Sequence, residues 1–156
     1  MDIEIVLTTK KDILDLASLR TMLQKEDWEE DYIISDEDSR RTTINFLEEN
    51  LNKDFFIFAA KVNDVIIATC GIQIIYYMPQ VNNLSGKVGY ICDVFTCLEY
   101  RFKGVQRTLL KEVIKFAMQK EIKILQLLTD NDIAISLYES LGFKHNNNAM
   151  ICNTDF

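Results

Sequence analysis

The chain has 156 residues, 48% of them apolar, enough for one domain with a full core (residues 1–156) and too few for two. Its net charge of −7 and the lack of an extended basic face argue against nucleic acid, and no apolar run reaches the length of a membrane span. Eight carboxylates lie in residues 26–38 without a base among them, while sixteen acids face seventeen bases elsewhere, so the acidity is local.

Residues 1–7 alternate, with Ile3, Ile5 and Leu7 on one face, and predict a first strand. They lack the basic start and apolar run of a signal peptide. The four cysteines, at 70, 92, 97 and 152, lack Cys-x-x-Cys spacing. Both features predict a cytoplasmic protein with reduced thiols and no metal site. Thr9 with Asp12 forms a capping-box pattern ahead of a helix bearing Ile13, Leu16, Leu19 and Leu23 on one face. Ser35 with Asp38 repeats it ahead of a second helix, with Ile44, Leu47 and Leu51, ending near Asn52. The acidic segment joins the two helices. Its Trp28, Glu29 and Tyr32 are candidates for the wall of an amine pocket through charge attraction and cation–π contact, the alternative being aromatics that pin a loop.

Residues 55–62 and 65–77 predict two strands closed by the tight pair Asn63 and Asp64, with Gly71 marking a bulge or a close contact. Residues 87–96 give a further strand. A helix then carries Val105, Leu109, Val113 and Ala117, followed by a strand at 122–128, a short helix at 131–141 and a last strand at 149–152. The expected order is β-α-α-β-β-β-α-β-α-β, an α/β (α+β) domain.

The stretch Tyr-Arg-Phe-Lys-Gly-Val-Gln-Arg, residues 100–107, connects a strand to a helix N-terminus. The first amides of a helix have no internal partner and carry partial positive charge, so such a turn can hold a phosphate. Arg101, Lys103 and Arg107 add cationic side chains, and Gly104 removes a Cβ where phosphates come close. A plain solvated helix start is the competing reading. Farther on stand Asn131, Ala134, Tyr138, Gly142 and Phe143.

Together these stretches resemble the GNAT superfamily of acyl-CoA-dependent N-acetyltransferases. Its cofactor turn reads Arg/Gln-x-x-Gly-x-Gly/Ala, and its later helix reads Asn-x-x-Ala-x-x-x-Tyr-x-x-x-Gly-Phe. The second signature is complete. In the first, Arg101 and Gly104 match, Gln106 replaces Gly or Ala, and Phe102 stands where Gly is frequent. The side chain of Gln106 must therefore turn away from the phosphates or donate to them. The similarity spans residues 89–143, about a third of the chain.

The resemblance implies a mostly antiparallel mixed sheet with helices on both faces and acetyl-CoA as co-substrate. It implies that Phe95 and Thr96 pair with the pantetheine arm. The amides of Phe102, Lys103, Gly104, Val105, Gln106 and Arg107 would hold the pyrophosphate, and Asn131 would touch the cofactor. Tyr138 is the implied proton donor to the departing thiolate, its alternative being a packing aromatic. Relatives often pair, so a homodimer is a further implication.

An amine of ordinary pKa must lose a proton before it attacks, so a base is required. Asp93 is the candidate base and Tyr90 an acceptor-side neighbour, both on the strand beside the cofactor gap; Asp93 as a structural hydrogen-bond acceptor is the alternative. His145, the sole histidine, reads as a solvated turn residue. Cys97 as a nucleophile lacks a base partner. The expected activity is acetyl transfer to a primary amine of a small molecule or peptide by direct attack; the alternative is a non-catalytic acyl-CoA-binding sensor.

Overall fold

The structure is a computed structural model that describes residues 2–146, 150 and 152–153. In chain order it contains β1 (Glu4–Leu7), α1 (Ile13–Trp28), α2 (Asp36–Asn50), β2 (Phe55–Val62), β3 (Val65–Tyr76), β4 (Lys87–Thr96), α3 (Val105–Gln119), β5 (Ile124–Gln126) and α4 (Asp132–Glu139). This follows the expected order as far as α4. The strand expected at 149–152 rests on Ala149 and Ile151, which lie outside the described residues.

The five strands form one mixed sheet in sequence order. All neighbours are antiparallel except β4 and β5, which run parallel through the α3 crossover that a parallel pair requires. Helices cover both faces. Ile13, Leu16, Leu19 and Leu23 of α1 pack with Leu47 of α2 against Phe55, Ile57 and Phe95 on one face. Val105, Leu109, Leu110, Val113 and Ala117 of α3 join Tyr138 of α4 against Phe56, Phe58, Cys70 and Ile72 on the other. Because β2 is buried between these two layers, it reads as a nearly continuous apolar run.

Local chemistry sets the element ends. The hydroxyl of Ser35 accepts the amide of Asp38 at 3.0 Å and starts α2. The carboxylate of Asp12 accepts the amide of Thr9 at 2.8 Å, leading through a 3-10 turn into α1. Asn63 and Asp64 both take positive φ, 49° and 64°, as a two-residue hairpin with the right-handed twist demands. Gly89 admits β5: a Cβ there would stand 2.5 Å from Leu125 Cδ2.

Candidate active site

Two features of β4 make the site. The first is a splay. β4 and β5 share only three rungs, Val88 with Ile124, Gly89 with Leu125 and Tyr90 with Gln126. β5 then ends while β4 continues to Thr96, so residues 91–96 have, among the described residues, a strand on the β3 side alone. A free strand edge presents unpaired N–H and C=O groups, a template for an extended ligand that carries amides of its own.

The second feature is a bulge. Thr69 pairs with Phe95 and Gly71 with Cys92, so Asp93 and Val94 together oppose Cys70. Asp93 sits at φ 52°, in the left-handed region. The bulge sends Cys92 and Asp93 to one cleft of about 310 Å³ between α1, α2, β2 and β4. Leu16, Phe46, Leu47, Phe55 and Ile57 form its apolar walls, and Arg20, Gln24, Thr42 and Thr43 its polar ones. Arg20 Nη1 donates to Asp93 Oδ1 at 3.3 Å. Burial pushes Asp93 above the usual carboxylate range, against the opposing pull of Arg20. Burial also pushes the Cys92 thiol up to about 12, with the charge of Asp93 adding to it. A thiol so shifted stays protonated at neutral pH and is a poor nucleophile. Cys97 is shifted upward as well, by burial first and Glu99 second.

At the end of the splay, the turn before α3 opens outward. Gly104 takes φ 78°, and a Cβ built on it would meet nothing within 4 Å. Phe102 also takes positive φ, 60°, and is 86% exposed, which accounts physically for glycine being frequent at that position. The first bond of α3 runs from Thr108 N to Gly104 O, leaving the amides of Val105, Gln106 and Arg107 without intrahelical partners. Lys103 lies over the Tyr100 ring, and its side chain and that of Arg107 are exposed with no carboxylate partner among the described residues.

Residues 20–143 match the sequence profile described as the Acetyltransferase (GNAT) family. The chain belongs to that family. No curated protein matches it by sequence. Among solved structures, one described as a predicted acetyltransferase with acetyl-CoA, from Clostridium acetobutylicum, is 25% identical; its TM-score is 0.83 over 97% of this chain and 96% of that one. Two others share the fold. An acetyltransferase from Trypanosoma brucei is 18% identical (TM-score 0.71, covering 97% and 99%). Glucosamine-6-phosphate N-acetyltransferase from Arabidopsis thaliana is 17% identical (TM-score 0.71, covering 99% and 100%).

The residues of this GNAT domain fit an acyl-CoA. The strand edge beyond Tyr90 suits the amide-bearing arm, although the carbonyls of Phe95 and Thr96, expected to pair with it, already accept from Gln106 Nε2 and Arg101 Nε; the open space at Gly104 with three free helix amides suits the diphosphate. The Thr96 hydroxyl is buried beside that edge with no hydrogen-bond partner among the described residues.

Several expected roles are redistributed. Arg101 is turned away from the turn: its amide donates to Leu98 O at 3.2 Å, its Nε to Thr96 O at 2.8 Å, and its Nη2 to both oxygens of Glu26 at 2.8 Å. With its amide, Nε and Nη2 so committed, it is a strut between α1 and β4. Gln106 points inward as well, its Nε2 donating to Thr69 O at 2.9 Å and Phe95 O at 2.6 Å. Its backbone amide remains at the turn. Asn131 caps α4, its Oδ1 accepting the amides of Ile133 and Ala134 at 3.0 and 3.1 Å.

Tyr138 lies on the opposite face of the sheet from Asp93, in the core that includes Cys70 and Val94, with its ring 5.7 Å from that of Phe143. Its hydroxyl makes no hydrogen bond among the described residues. Burial, with a smaller contribution from Cys70, raises it to about 12, so it is a protonated donor at neutral pH.

The amine wall expected of Trp28, Glu29 and Tyr32 is not part of the cleft. α1 continues to Trp28, which is 60% exposed, and Tyr32 packs over Lys25 and donates to Asp36 at 3.3 Å. Tyr90 stands at the fork of the splay, on the last shared rung, outside the cleft. His145 pairs with Glu139 at 3.4 Å, far from any role here. The residues that do line the cleft, Arg20 and Gln24 above all, belong to no motif. Their signal is positional: with Leu16 they recur every four residues, a charge within the apolar stripe of α1.

Proposed function

We propose that this GNAT domain acetylates a primary amine of a small molecule or peptide, by direct attack within a ternary complex with acetyl-CoA. The observation that carries the reading is the bulge in β4 at the mouth of the splay. It aims one carboxylate, Asp93, into a closed-sided cleft, while the protonated phenol of Tyr138 lies on the other side of the same strand pair.

Bound along the splay, acetyl-CoA would supply the acyl group as an activated thioester. The free edge of β4 and the amides opening α3 bind and orient it. Asp93 receives the proton that the ammonium must lose, a task its raised pKa favours. Tyr138 Oη donates a proton toward the departing sulfur. The protonated state of Cys92 supports direct attack over a cysteine-bound intermediate.

Purified protein with acetyl-CoA and an amine panel is expected to release free CoA thiol. Tyr138→Phe is expected to slow release by about 100-fold while the calorimetric heat of acetyl-CoA binding persists. Binding without turnover on any amine would instead identify a non-catalytic acyl-CoA-binding module.

A further inference from the structure

The cleft presents one positive and one negative group side by side. Arg20 Nη1 lies 3.3 Å from Asp93 Oδ1, and both side chains line the same space. Neither partner is saturated. Asp93 Oδ2 accepts no bond from the described residues, and the remaining N–H groups of Arg20 donate none. Gln24 Nε2 is likewise uncommitted, its Oε1 alone accepting from Ser39 Oγ at 2.6 Å. The threonine hydroxyls of the lining have spent their donors and keep only acceptor lone pairs. Thr42 Oγ1 donates to Asp38 O at 2.9 Å and Ser39 O at 3.0 Å, and Thr43 Oγ1 to Ser39 O at 2.9 Å.

What the cleft can still recognise is therefore narrow. It has one free anionic acceptor and, adjoining it, a set of donors suited to a carboxylate. A second ammonium would meet Arg20 within the lining, and the further carboxylate that acts on Arg20 and Asp93, Asp27, stands outside it, which disfavours a polyamine. A polyhydroxylated amino sugar would leave most of its groups against Leu16, Phe46, Leu47, Phe55 and Ile57. A zwitterion with its opposite charges on two groups of one carbon matches the pair with dipoles antiparallel, and an apolar substituent would fill the remaining wall. About 310 Å³ admits one small molecule.

Building on the acetyltransferase reading, we infer that the acceptor is an α-amino acid with an apolar side chain. Its ammonium sits on Asp93, its carboxylate on Arg20 and Gln24, and its side chain against the apolar wall. On losing a proton to Asp93, the α-nitrogen attacks the thioester carbonyl; the N–C bond forms, the C–S bond breaks, the thiolate takes its proton from Tyr138, and the second proton, shed by the acylated nitrogen, restores the phenol through solvent.

The test compares L-phenylalanine with 2-phenylethylamine, which differs only by the missing carboxylate, and with spermidine, following thiol release from acetyl-CoA. L-phenylalanine is expected to exceed 2-phenylethylamine in kcat/KM by at least ~10-fold, because the analogue leaves the donors unpaired. Arg20→Gln is expected to collapse that ratio by about tenfold or more, with the heat of acetyl-CoA binding reporting that the variant is folded. Faster turnover of 2-phenylethylamine or spermidine than of L-phenylalanine, or a ratio indifferent to Arg20→Gln, overturns this inference and leaves the acetyltransferase reading standing. Failure of every amine tested to release thiol, despite bound acetyl-CoA, overturns both.

Discussion

Asp93 combines three unfavourable features: a carboxylate only 11% exposed, a positive φ and a place in the sheet where the ladder is broken. Strain of this kind persists where the surrounding structure enforces it and function uses it. The sign of its effect on stability follows from its raised pKa. The folded state holds the Asp93 proton more tightly than the unfolded chain, so the favourable contribution is present at low pH. It is lost as pH rises from about 3.9 through the raised value. Asp93→Asn keeps the shape and tolerates the left-handed backbone. It is expected to unfold at a higher temperature than the natural chain at pH 7, with the gap closing below pH ~4, while acetylation falls by about 100-fold. Scanning calorimetry against pH checks the first part. The natural protein's kcat/KM should rise with pH along an acid limb lying above the ordinary carboxylate range; a limb at the ordinary value would remove Asp93 as base. At this scale the motif residues were legible, since Tyr138 and Gly104 stand in signatures. Arg20 was not, because its role depends on a contact across 73 residues of sequence with Asp93.

The elements hold the site through polar struts more than through side-chain packing alone. Gln106 reaches from the first turn of α3 to carbonyls on β3 and β4, fixing the helix N-terminus relative to the bulge. Arg101 ties the end of β4 to Glu26 on α1, and so joins the cofactor turn to the acceptor side. Of the two courses open to Gln106 in the sequence, turning away from the phosphates or donating to them, its side chain takes the first and serves as an internal brace. Gln106→Gly is accordingly expected to weaken acetyl-CoA binding by about fivefold, the equivalent of one lost hydrogen bond. Isothermal titration decides it, and tighter binding would mean that the side chain obstructs the turn. Most element boundaries could be read in advance: the hairpin at Asn63 and Asp64, the capping boxes at Thr9 and Ser35 and the bulge or close contact at Gly71 each rest on backbone chemistry within a few residues. The far end of α1 could not. Nothing local in residues 26–28 shows that the helix continues, or that Glu26 meets Arg101 across 75 positions.

For the molecule as a whole, one sheet carries two cores, and ties between layers set its stability. The start of α1 is fastened to β2 by Asp12 and Lys61 at 2.8 Å, with side-chain exposures of only 7% and 13%. Burial works to raise Asp12, but the hydrogen bonds from Lys61 and Thr9 with the Lys61 charge outweigh it, and the net shift is downward. The pair therefore stabilises the fold above the ordinary carboxylate pKa and stops doing so as pH falls through the lowered value. Asp12→Ala strands a buried ammonium and is expected to cost ~3 kcal/mol in urea unfolding. Replacing both partners with apolar residues should cost less than the single change; a larger loss in the double variant would contradict this account of the pair.

The sequence by itself determined the strand and helix order, the caps, the phosphate-type turn and the helix bearing Tyr138, because each is written in residues no more than four apart. It could not determine the cleft. That space is made by a bulge that turns one carboxylate, by an arginine delivered from the first helix, and by walls from two further elements. Such a juxtaposition depends on how layers pack across the sheet, and short-range periodicity carries no record of it. For the same reason the acidic segment, conspicuous in the sequence, proved peripheral to the cleft, while Arg20, inconspicuous in a leucine stripe, came to sit within it.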